Sequence, residues 1–411
     1  MAMEMLEQTE PRGASEPVFE VAGNRLTLLS EGGTAFDTLI ALIDGAKTSL
    51  RLLYYIYSQD DAGHLVRAAL LAAVRRGVRV SLIIDGFGSG AGDAFFALLE
   101  EAGVDVCRFI PRFGRRYLLR NHQKLALADE QRVIIGGFNI ENDYFGDPAR
   151  GAWRDLGALV EGPAATRLVG YYDALARWSH RPKPRIRDLR RALNKWSEPE
   201  GTVRWLFGGP TRRLSPWVRA VKNDMQGARR IVMIAAYFAP SPAMLRRLEA
   251  VARRGSTRII TPARSDSNAM IAAARHCYAR LLRRGVEIHE YQLTKLHTKL
   301  FIAEDAVHLG SANFDVRSLY LNLELMLRVD DPAFAEHCRR YFEGELTQAR
   351  RITREAHHAA SNWLRRLQWG LAYFVVAVLD NRLTRRLNFG MERRGRGSSP
   401  SRPNKAGREG Y

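Results

Sequence analysis

Histidine and lysine occur together in the same pattern at two places in the chain. Each copy holds a His-x-Lys triplet, an acid five residues after the lysine, and then a Gly-x-x-Asn turn. The first copy comprises His122, Lys124, Asp129 and Asn139, and the second comprises His297, Lys299, Glu304, Ser311 and Asn313. Because side chains alternate along a strand, the histidine and lysine of each triplet share one face. Two such pairs predict a site that holds and attacks a phosphate group.

Cleavage of a phosphodiester needs a nucleophile, a proton for the leaving alkoxide and positive charge around the phosphoryl oxygens. Two histidines can divide the first two tasks, because each titrates near neutral pH. One attacks while neutral and forms a phosphohistidine, and the other donates the proton. We expect Lys124 and Lys299 to hold the non-bridging oxygens, with Asn139, Asn313 and Ser311 binding substrate beside them. We expect no metal and no cofactor, since no Cys/His or carboxylate cluster has ligand spacing.

The repetition of the pattern carries more weight than either copy alone. A single His-x-Lys on a strand is usually a surface feature without function. Here the two histidines lie 175 positions apart, and the helix ends Arg76-Gly77 and Arg254-Gly255 lie 178 positions apart. A nearly constant offset indicates an internal duplication.

The two copies resemble the paired His-x-Lys-x4-Asp motifs of the phospholipase D superfamily. Within it, Arg120–Lys124, the turn Gly136–Asn139 and the segment Asn142–Gly146 are similar to bacterial cardiolipin synthases. The resemblance covers roughly residues 20–350. The second copy departs from the pattern, because it has Glu304 in place of the usual aspartate and is one residue shorter before its glycine.

The resemblance implies an α/β fold of two similar lobes, each a mixed β-sheet flanked by helices, with both histidines in one pocket at the lobe interface. It implies that Asp155 and Glu324, downstream of the two triplets, orient the imidazoles. It favours His122 as the nucleophile, because the first copy usually has that role in the family. Asp129 and Glu304 are expected to brace the site rather than to touch substrate.

The alternation of predicted strands and helices independently indicates sheets covered by helices. A break in periodicity near residues 181–200 suggests the join between the lobes. The predicted organisation is a flexible tail (1–17), a first lobe (18–190), a second lobe (191–355), an amphipathic membrane-interface region (356–390) and a disordered basic tail (391–411).

Composition favours an anionic partner. The 411 residues carry a net charge of +19 with a pI near 10.3, which suits nucleic acid or an acidic membrane surface. The three cysteines are widely spaced and suit a reducing compartment. The segment 363–379 holds an aromatic and apolar run too short to span a bilayer. It predicts either a helix in the bilayer interface or a helix packed on the lobes.

We therefore expect a cardiolipin synthase-type phosphatidyl transferase, passing a phosphatidyl group through phosphohistidine to the hydroxyl of phosphatidylglycerol or another alcohol. The alternatives are a phospholipase D hydrolase that uses water, and a nuclease or phosphodiesterase of the same superfamily. The apolar segment 363–379 makes glycerophospholipid the favoured substrate over nucleic acid. The expected location is the cytoplasmic side of the inner membrane, as a peripheral protein bound to its anionic surface.

Overall fold

The computed structural model describes residues 16–110, 119–211 and 214–379. The strands of the first half are β1 (Val18–Val21), β2 (Asn24–Leu29), β3 (Ser49–Tyr54), β4 (Arg79–Asp85), β5 (Asp105–Phe109), β6 (Leu125–Ala128), β7 (Arg132–Gly136) and β8 (Gly157–Glu161). Those of the second half are β9 (Val203–Gly208), β10 (Arg230–Ala235), β11 (Phe238–Ala239), β12 (Ser256–Pro262), β13 (Glu287–Tyr291), β14 (Lys299–Ala303), β15 (Ala306–Gly310), β16 (Phe314–Asp315), β17 (Glu324–Asp330) and β18 (Ala349–Ile352).

Helices alternate with these strands in both halves. They are α1 (Gly32–Asp44), α2 (Asp61–Arg75), α3 (Asp93–Glu101), α4 (Asn142–Phe145), α5 (Pro163–His180), α6 (Ile186–Trp196), α7 (Pro216–Gly227), α8 (Pro242–Arg254), α9 (Asn268–Leu282), α10 (Val316–Tyr320), α11 (Pro332–Leu346), α12 (Arg354–Ala359) and α13 (Trp363–Tyr373). A 3-10 turn covers Pro148–Arg150, and a π-helical turn at Phe374–Leu379 extends α13. No helix in the described ranges is both long and apolar enough to cross a bilayer.

The two sheets repeat one strand order. The first runs β1-β2-β8-β7-β6-β3-β4-β5, and the second runs β18-β13-β12-β10-β14-β15-β17-β9. Read from β2 to β5 in the first sheet and from β9 to β13 in the second, seven strands correspond in order. The eighth strand, β1 or β18, is added at opposite ends of this common set. In the first sheet β6, which follows the first His-x-Lys triplet, is antiparallel to β3, and β3 is parallel to β4. In the second sheet β14, which carries the second triplet's lysine, is antiparallel to β10, and β10 is parallel to β12. The predicted pair of similar mixed α/β lobes is confirmed.

The sheets pack into five layers. Helices α1–α3 cover the outer face of the first sheet, and α7–α9 cover that of the second. Helices α5 and α11 lie between the sheets in a central core that contains Leu125 and Leu127 of β6 and Leu300 and Ile302 of β14. Strands buried on both faces read as continuous apolar runs, which is why Leu125–Ala128 lacks a polar face.

The region of the predicted join between the lobes is helical in the structure. The join expected to be irregular near residues 181–200 contains α6, which packs on α5 and β9 and crosses the predicted boundary at 190/191. Its apolar positions, Leu189 and Leu193, are few among charged neighbours, so the helical signal is weak. The basic tail 391–411 and nearly all of the tail 1–17 lie outside the described residues. Glu16, at the end of that tail, contacts Ser30 and His337.

The segment 363–379 packs on the second lobe, which is one of the two structures considered for it; its position in a bilayer interface stays a prediction. Trp369, Tyr373 and Ala377 are buried against the second lobe, chiefly on α9, and the Tyr373 hydroxyl donates to the Pro240 carbonyl oxygen at 2.9 Å. Trp363 and other large apolar residues on the opposite face are exposed. The helix is therefore docked on the protein and still presents an apolar surface.

Candidate active site

Backbone hydrogen bonds join the two lobes at the histidines. The His122 N–H donates to the Leu323 carbonyl at 3.0 Å, and the Leu323 N–H donates to the Arg120 carbonyl at 2.9 Å. In the matching arrangement, the His297 N–H donates to the Arg154 carbonyl at 2.7 Å. Each His-x-Lys segment thus pairs with the chain just before the acid of the other lobe. This pairing brings both histidines to one interface, as predicted.

Each imidazole is held by a carboxylate from the opposite lobe. The Nδ1 atom of His122 lies 3.1 Å from Glu324 Oε2, and the Nδ1 atom of His297 lies 2.6 Å from Asp155 Oδ2. Both carboxylates are inaccessible to solvent, and both histidines are less than a tenth exposed. A carboxylate accepts the Nδ1 proton and leaves the Nε2 atom of each ring for chemistry. The structure thus puts the predicted orienting acids in contact with the histidines.

The two lysines lie beside the histidines. Lys124 Nζ donates to the His122 carbonyl at 2.7 Å, and Lys299 Nζ lies 2.7 Å from His297 Nδ1. Burial lowers the pKa of Lys124 to about 7, helped by the positive charge of Lys299. Burial lowers the pKa of Lys299 to about 8. A bound anion would favour the ammonium forms of both lysines, so the pair is suited to hold a phosphate.

The same environment keeps the imidazoles neutral in the free protein. Burial and the neighbouring Lys299 lower the pKa of His297 to about 4, although Asp155 opposes this change. Burial and Lys124 lower the pKa of His122 as well. A bound phosphodiester anion would offset the lysine charges and raise the pKa of both rings. Neutral imidazole suits a nucleophile, and an anion beside the lysines would favour protonation of the other ring.

Ser311 lies beside Glu324. Its hydroxyl donates to Glu324 Oε2 at 2.5 Å and accepts from the Leu325 N–H at 3.0 Å, so it holds the carboxylate that orients His122. These contacts favour a positioning role, and the substrate-binding role expected for Ser311 stays a prediction. In the first lobe the corresponding residue is Gly137, where a Cβ atom would lie 2.2 Å from Asp155 Oδ1. Asp155 therefore requires glycine there, while Glu324 is held by serine.

The two asparagines of the Gly-x-x-Asn turns are not equivalent. Asn139 Oδ1 accepts from the Ile56 N–H at 3.1 Å, and its Nδ2 donates to the Tyr144 hydroxyl at 2.8 Å. Both ends of this amide contact protein, and the second Nδ2–H can still donate, so substrate binding by Asn139 stays a prediction. Asn313 Oδ1 is buried and has no hydrogen-bond partner within the described residues. Asn313 remains a predicted substrate ligand.

The acids of the two motifs lie at the far ends of their strands, beyond Ala128 and Ala303, rather than at the histidines. Asp129 accepts hydrogen bonds from the backbone N–H groups of residues 47–49, at 2.7–3.1 Å. Glu304 accepts from the N–H groups of residues 229 and 230. Each acid thus fastens the turn before β3 or β10 to the motif strand. Asp129 and Glu304, predicted together with the catalytic residues, thus lie away from the imidazoles, and their bracing role stays a prediction.

Aromatic rings line the histidines and were missed in the sequence. The Tyr55 ring lies 5.0 Å from the His122 ring, with Lys124 Nζ 5.3 Å from its centroid. On the other side, Tyr144 and Trp153 lie 5.2 and 5.5 Å from the His297 ring. The signal for Tyr55 was present, because it follows directly on the buried strand β3. These rings exclude water from the imidazoles and strengthen the electrostatic interactions there.

Comparisons with known proteins place the site in a family. The family model described as "Cardiolipin synthase, PLD-like domain" matches residues 39–166 and 221–346, one match in each lobe. The fold is similar to the crystal structure of phosphatidylserine synthase from Haemophilus influenzae Rd KW20, with a TM-score of 0.68 and 14% identity over 89% of this chain and 95% of that one.

Two curated relatives are similar over most of the chain. Cardiolipin synthase A of Edwardsiella ictaluri (strain 93-146) is 31% identical over 364 residues, covering 85% of this chain and 73% of the relative. Cardiolipin synthase of Geobacillus kaustophilus (strain HTA426) is 29% identical over 313 residues, covering 74% of this chain and 62% of the relative. With one family match in each lobe, these similarities show that the chain belongs to the cardiolipin synthase family of phospholipase D-like enzymes.

Proposed function

We propose that this protein is a cardiolipin synthase-type phosphatidyl transferase that works through a phosphohistidine on His122. The observation that carries the proposal is the pair of histidines, each held at Nδ1 by a carboxylate from the opposite lobe, with a buried lysine beside each ring. This arrangement offers two Nε2 atoms and two ammonium groups to one phosphodiester. It supplies nucleophile, acid and charge stabilisation from side chains alone.

In the first half-reaction, Lys124 and Lys299 bind the non-bridging oxygens of a glycerophospholipid, and Asn313 adds a neutral contact. The His122 Nε2 lone pair attacks phosphorus and forms an N–P bond as the P–O bond to the headgroup alcohol breaks. The His297 Nε2–H gives its proton to the departing alkoxide. Glu324 stabilises the positive charge that develops on the His122 ring.

In the second half-reaction, His297 is neutral and acts as a base. It takes the proton from the hydroxyl of the acceptor, and the acceptor oxygen attacks phosphorus. The N–P bond breaks and returns its electron pair to His122. When the acceptor is phosphatidylglycerol, the product is cardiolipin. When the acceptor is water, the same steps give phosphatidic acid.

The family supports lipid rather than nucleic acid as substrate, because both curated relatives named above are cardiolipin synthases. The exposed apolar face of α13 favours the same choice. We therefore propose a peripheral location on the cytoplasmic side of the inner membrane, where glycerophospholipid substrates lie in the bilayer surface.

The test is to incubate the purified protein with phosphatidylglycerol vesicles in which the headgroup glycerol carries carbon-13. Lipids and the aqueous phase are then analysed by mass spectrometry. We expect cardiolipin together with released labelled glycerol, in equal amounts. His122→Asn and His297→Asn should each abolish both products, while Asp93→Asn, at an exposed acid on α3, should leave them unchanged.

Each other outcome assigns a different function. Phosphatidic acid and labelled glycerol without cardiolipin would identify a hydrolase. Cleavage of single-stranded DNA, lost in both histidine variants and unaccompanied by any lipid product, would identify a nuclease.

A further inference from the structure

A cationic cleft lies on the second lobe, and neither His122 nor His297 lines it. It is formed by α9, α12 and the start of α13 and has a volume of about 530 Å³. Five arginines and three histidines line it, and none of the described residues in its lining is acidic. None of its lining residues belongs to the catalytic group. We call it the arginine cleft.

Three of these arginines are not neutralised. Arg275 and Arg280 pair with Glu290 and Glu249. In contrast, Arg283 and Arg354 donate to the backbone carbonyls of Ala279 and Leu282, and Arg366 donates to the Ser361 hydroxyl. Within the described ranges these three exposed arginines have no carboxylate partner. A concave surface with three unpaired guanidinium groups is suited to a phosphate.

The helix that forms one wall of the cleft also carries the main exposed apolar surface of the described residues. Six of the eleven large hydrophobic residues that are exposed lie on this helix and its π-helical extension, namely Trp363, Leu364, Leu367, Leu371, Phe374 and Val375. Trp363 is 72% exposed and Leu367 is 65% exposed. We call these six residues the apolar face of α13. An amphipathic helix with arginines beside an apolar face is typical of one that lies in a bilayer interface.

We propose that the apolar face of α13 lies in the surface of a bilayer while the arginine cleft binds the phosphate of an anionic phospholipid in that bilayer. The positive charge of the cleft, and the fact that one helix, α13, carries both a wall of the cleft and the apolar face, identify this one occupant. The cleft is thus an accessory lipid site, distinct from the site of phosphoryl transfer. Its test measures binding to vesicles and not turnover, so the result is independent of whether the proposed reaction is correct.

The first experiment measures co-sedimentation with vesicles of equimolar phosphatidylglycerol and phosphatidylcholine at physiological salt. The cleft variant combines Arg283→Gln, Arg354→Gln and Arg366→Gln. A matched control removes the same charge elsewhere with Arg75→Gln, Arg79→Gln and Arg253→Gln, which are exposed and lie outside the cleft.

Each arginine at an anionic surface contributes a factor of about five, so we expect the cleft variant to bind about a hundredfold more weakly. The control should change by less than about fivefold, because distant charges are screened. Equal losses in both variants would show diffuse attraction and overturn the proposal, as would no loss in either. Circular dichroism and an unchanged midpoint of urea denaturation establish that both variants are folded. RNA binding that the cleft variant loses while its vesicle binding persists would also overturn it.

The second experiment locates the apolar face. Of the seven tryptophans, only Trp363 is exposed, and the other six are buried or half-buried. Vesicles with brominated acyl chains should therefore quench part of the fluorescence of the native protein, and Trp363→Phe should remove that quenching. Absence of quenching in the native protein would show that something other than a bilayer covers this face. Quenching that persists in Trp363→Phe would show that another surface meets the membrane.

Discussion

Asp155 and His297 belong to different lobes, yet the carboxylate oxygen Oδ2 lies 2.6 Å from the imidazole Nδ1. The reciprocal pair, Glu324 and His122, is formed in the same way at 3.1 Å. Neither motif histidine therefore takes its orienting carboxylate from its own lobe. The duplication created two half-sites, and the site is complete only where the lobes meet.

We predict that Asp155→Asn lowers kcat about 10²–10⁴-fold with little change in KM, because it removes an orienting charge and not a substrate contact. The carboxylate raises the pKa of His297 against the effects of burial and Lys299. Its loss lowers that pKa further, so the protonated acid persists only to lower pH. The alkaline limb of the pH–rate profile should move to lower pH. An unchanged profile, or a rise in KM alone, would contradict the orienting role.

We predict that Ser311→Ala lowers kcat about tenfold and leaves KM unchanged, because the lost bond is a charge-assisted contact with Glu324. Steady-state kinetics on a soluble phosphodiester measures both constants. Ser241→Ala is the matched control, since Ser241 is also buried and its hydroxyl has no partner in the described structure. A raised KM with normal kcat would instead favour Ser311 as a substrate ligand.

Asp129 should affect stability more than chemistry. Burial raises its pKa, but hydrogen bonds from the backbone of Thr48, Ser49 and Lys47 outweigh this and leave the pKa below its usual value. A lowered carboxylate pKa stabilises the fold above the unfolded pKa near 3.8, and this stability is lost as pH falls through the folded value. Because the group is largely solvated, Asp129→Asn should cost about 1 kcal/mol at pH 7.

Urea denaturation at pH 7 and pH 3 measures this cost. The difference between native protein and Asp129→Asn should shrink at the lower pH. Asp129→Asn should keep most activity. Glu304→Gln removes the charge of a carboxylate that accepts two backbone hydrogen bonds, and it should keep most activity as well. His297→Ala should lose activity. Losses of activity as large as that of His297→Ala in either acid variant would show a direct part in catalysis.

Two tryptophans on α13 give a matched pair for its docking. Trp369 is 8% exposed and packs on the second lobe, whereas Trp363 is 72% exposed. Replacing a buried Trp with Ala costs about 3–5 kcal/mol, so Trp369→Ala should lower the free energy of unfolding by about that much. Trp363→Ala should change it by less than about 0.5 kcal/mol. Similar small effects at both positions in chemical denaturation would mean that the helix is not docked in solution.

We predict that transfer continues in excess EDTA, because two histidines and two lysines supply every group that the reaction needs. In the described ranges, no three His, Cys, Asp or Glu side chains are grouped to hold a metal ion. The test compares the rate on a soluble phosphodiester before and after chelation, and we expect the two rates to be equal. Loss of activity that one divalent ion restores would require a different mechanism.

The sequence predicted the two His-x-Lys pairs because the pattern of each pair lies within three consecutive residues. Alternation along a strand places His122 with Lys124 and His297 with Lys299, and the duplicated offset predicts two equivalent lobes. The crossing of the carboxylates between lobes could not be derived in this way, since periodicity describes each copy but not how the copies pack. Only the family resemblance pointed to Asp155 and Glu324.

The sequence describes less well those residues whose side chains form hydrogen bonds only in the folded chain. Ser311 and Asn139 lie in turns that suit phosphate binding, and in the fold they donate to Glu324 and Tyr144. Tyr55 directly follows the buried strand β3, and nothing in the local pattern shows that its ring lies beside His122. The amphipathic pattern of 363–379 was ambiguous because one face packs on the lobe while the other is exposed.

The most direct test of the two-histidine mechanism is to trap the intermediate. His297→Asn lacks the base for the second half-reaction, and a phosphatidyl ester of 4-nitrophenol does not need an acid to depart. On mixing the two, we expect one equivalent of 4-nitrophenolate and a phosphatidyl adduct. Peptide mass spectrometry at alkaline pH should place it on His122, and the double variant His122→Asn/His297→Asn should show neither. An adduct on another residue, or turnover without any adduct, would contradict the assignment of His122 as nucleophile.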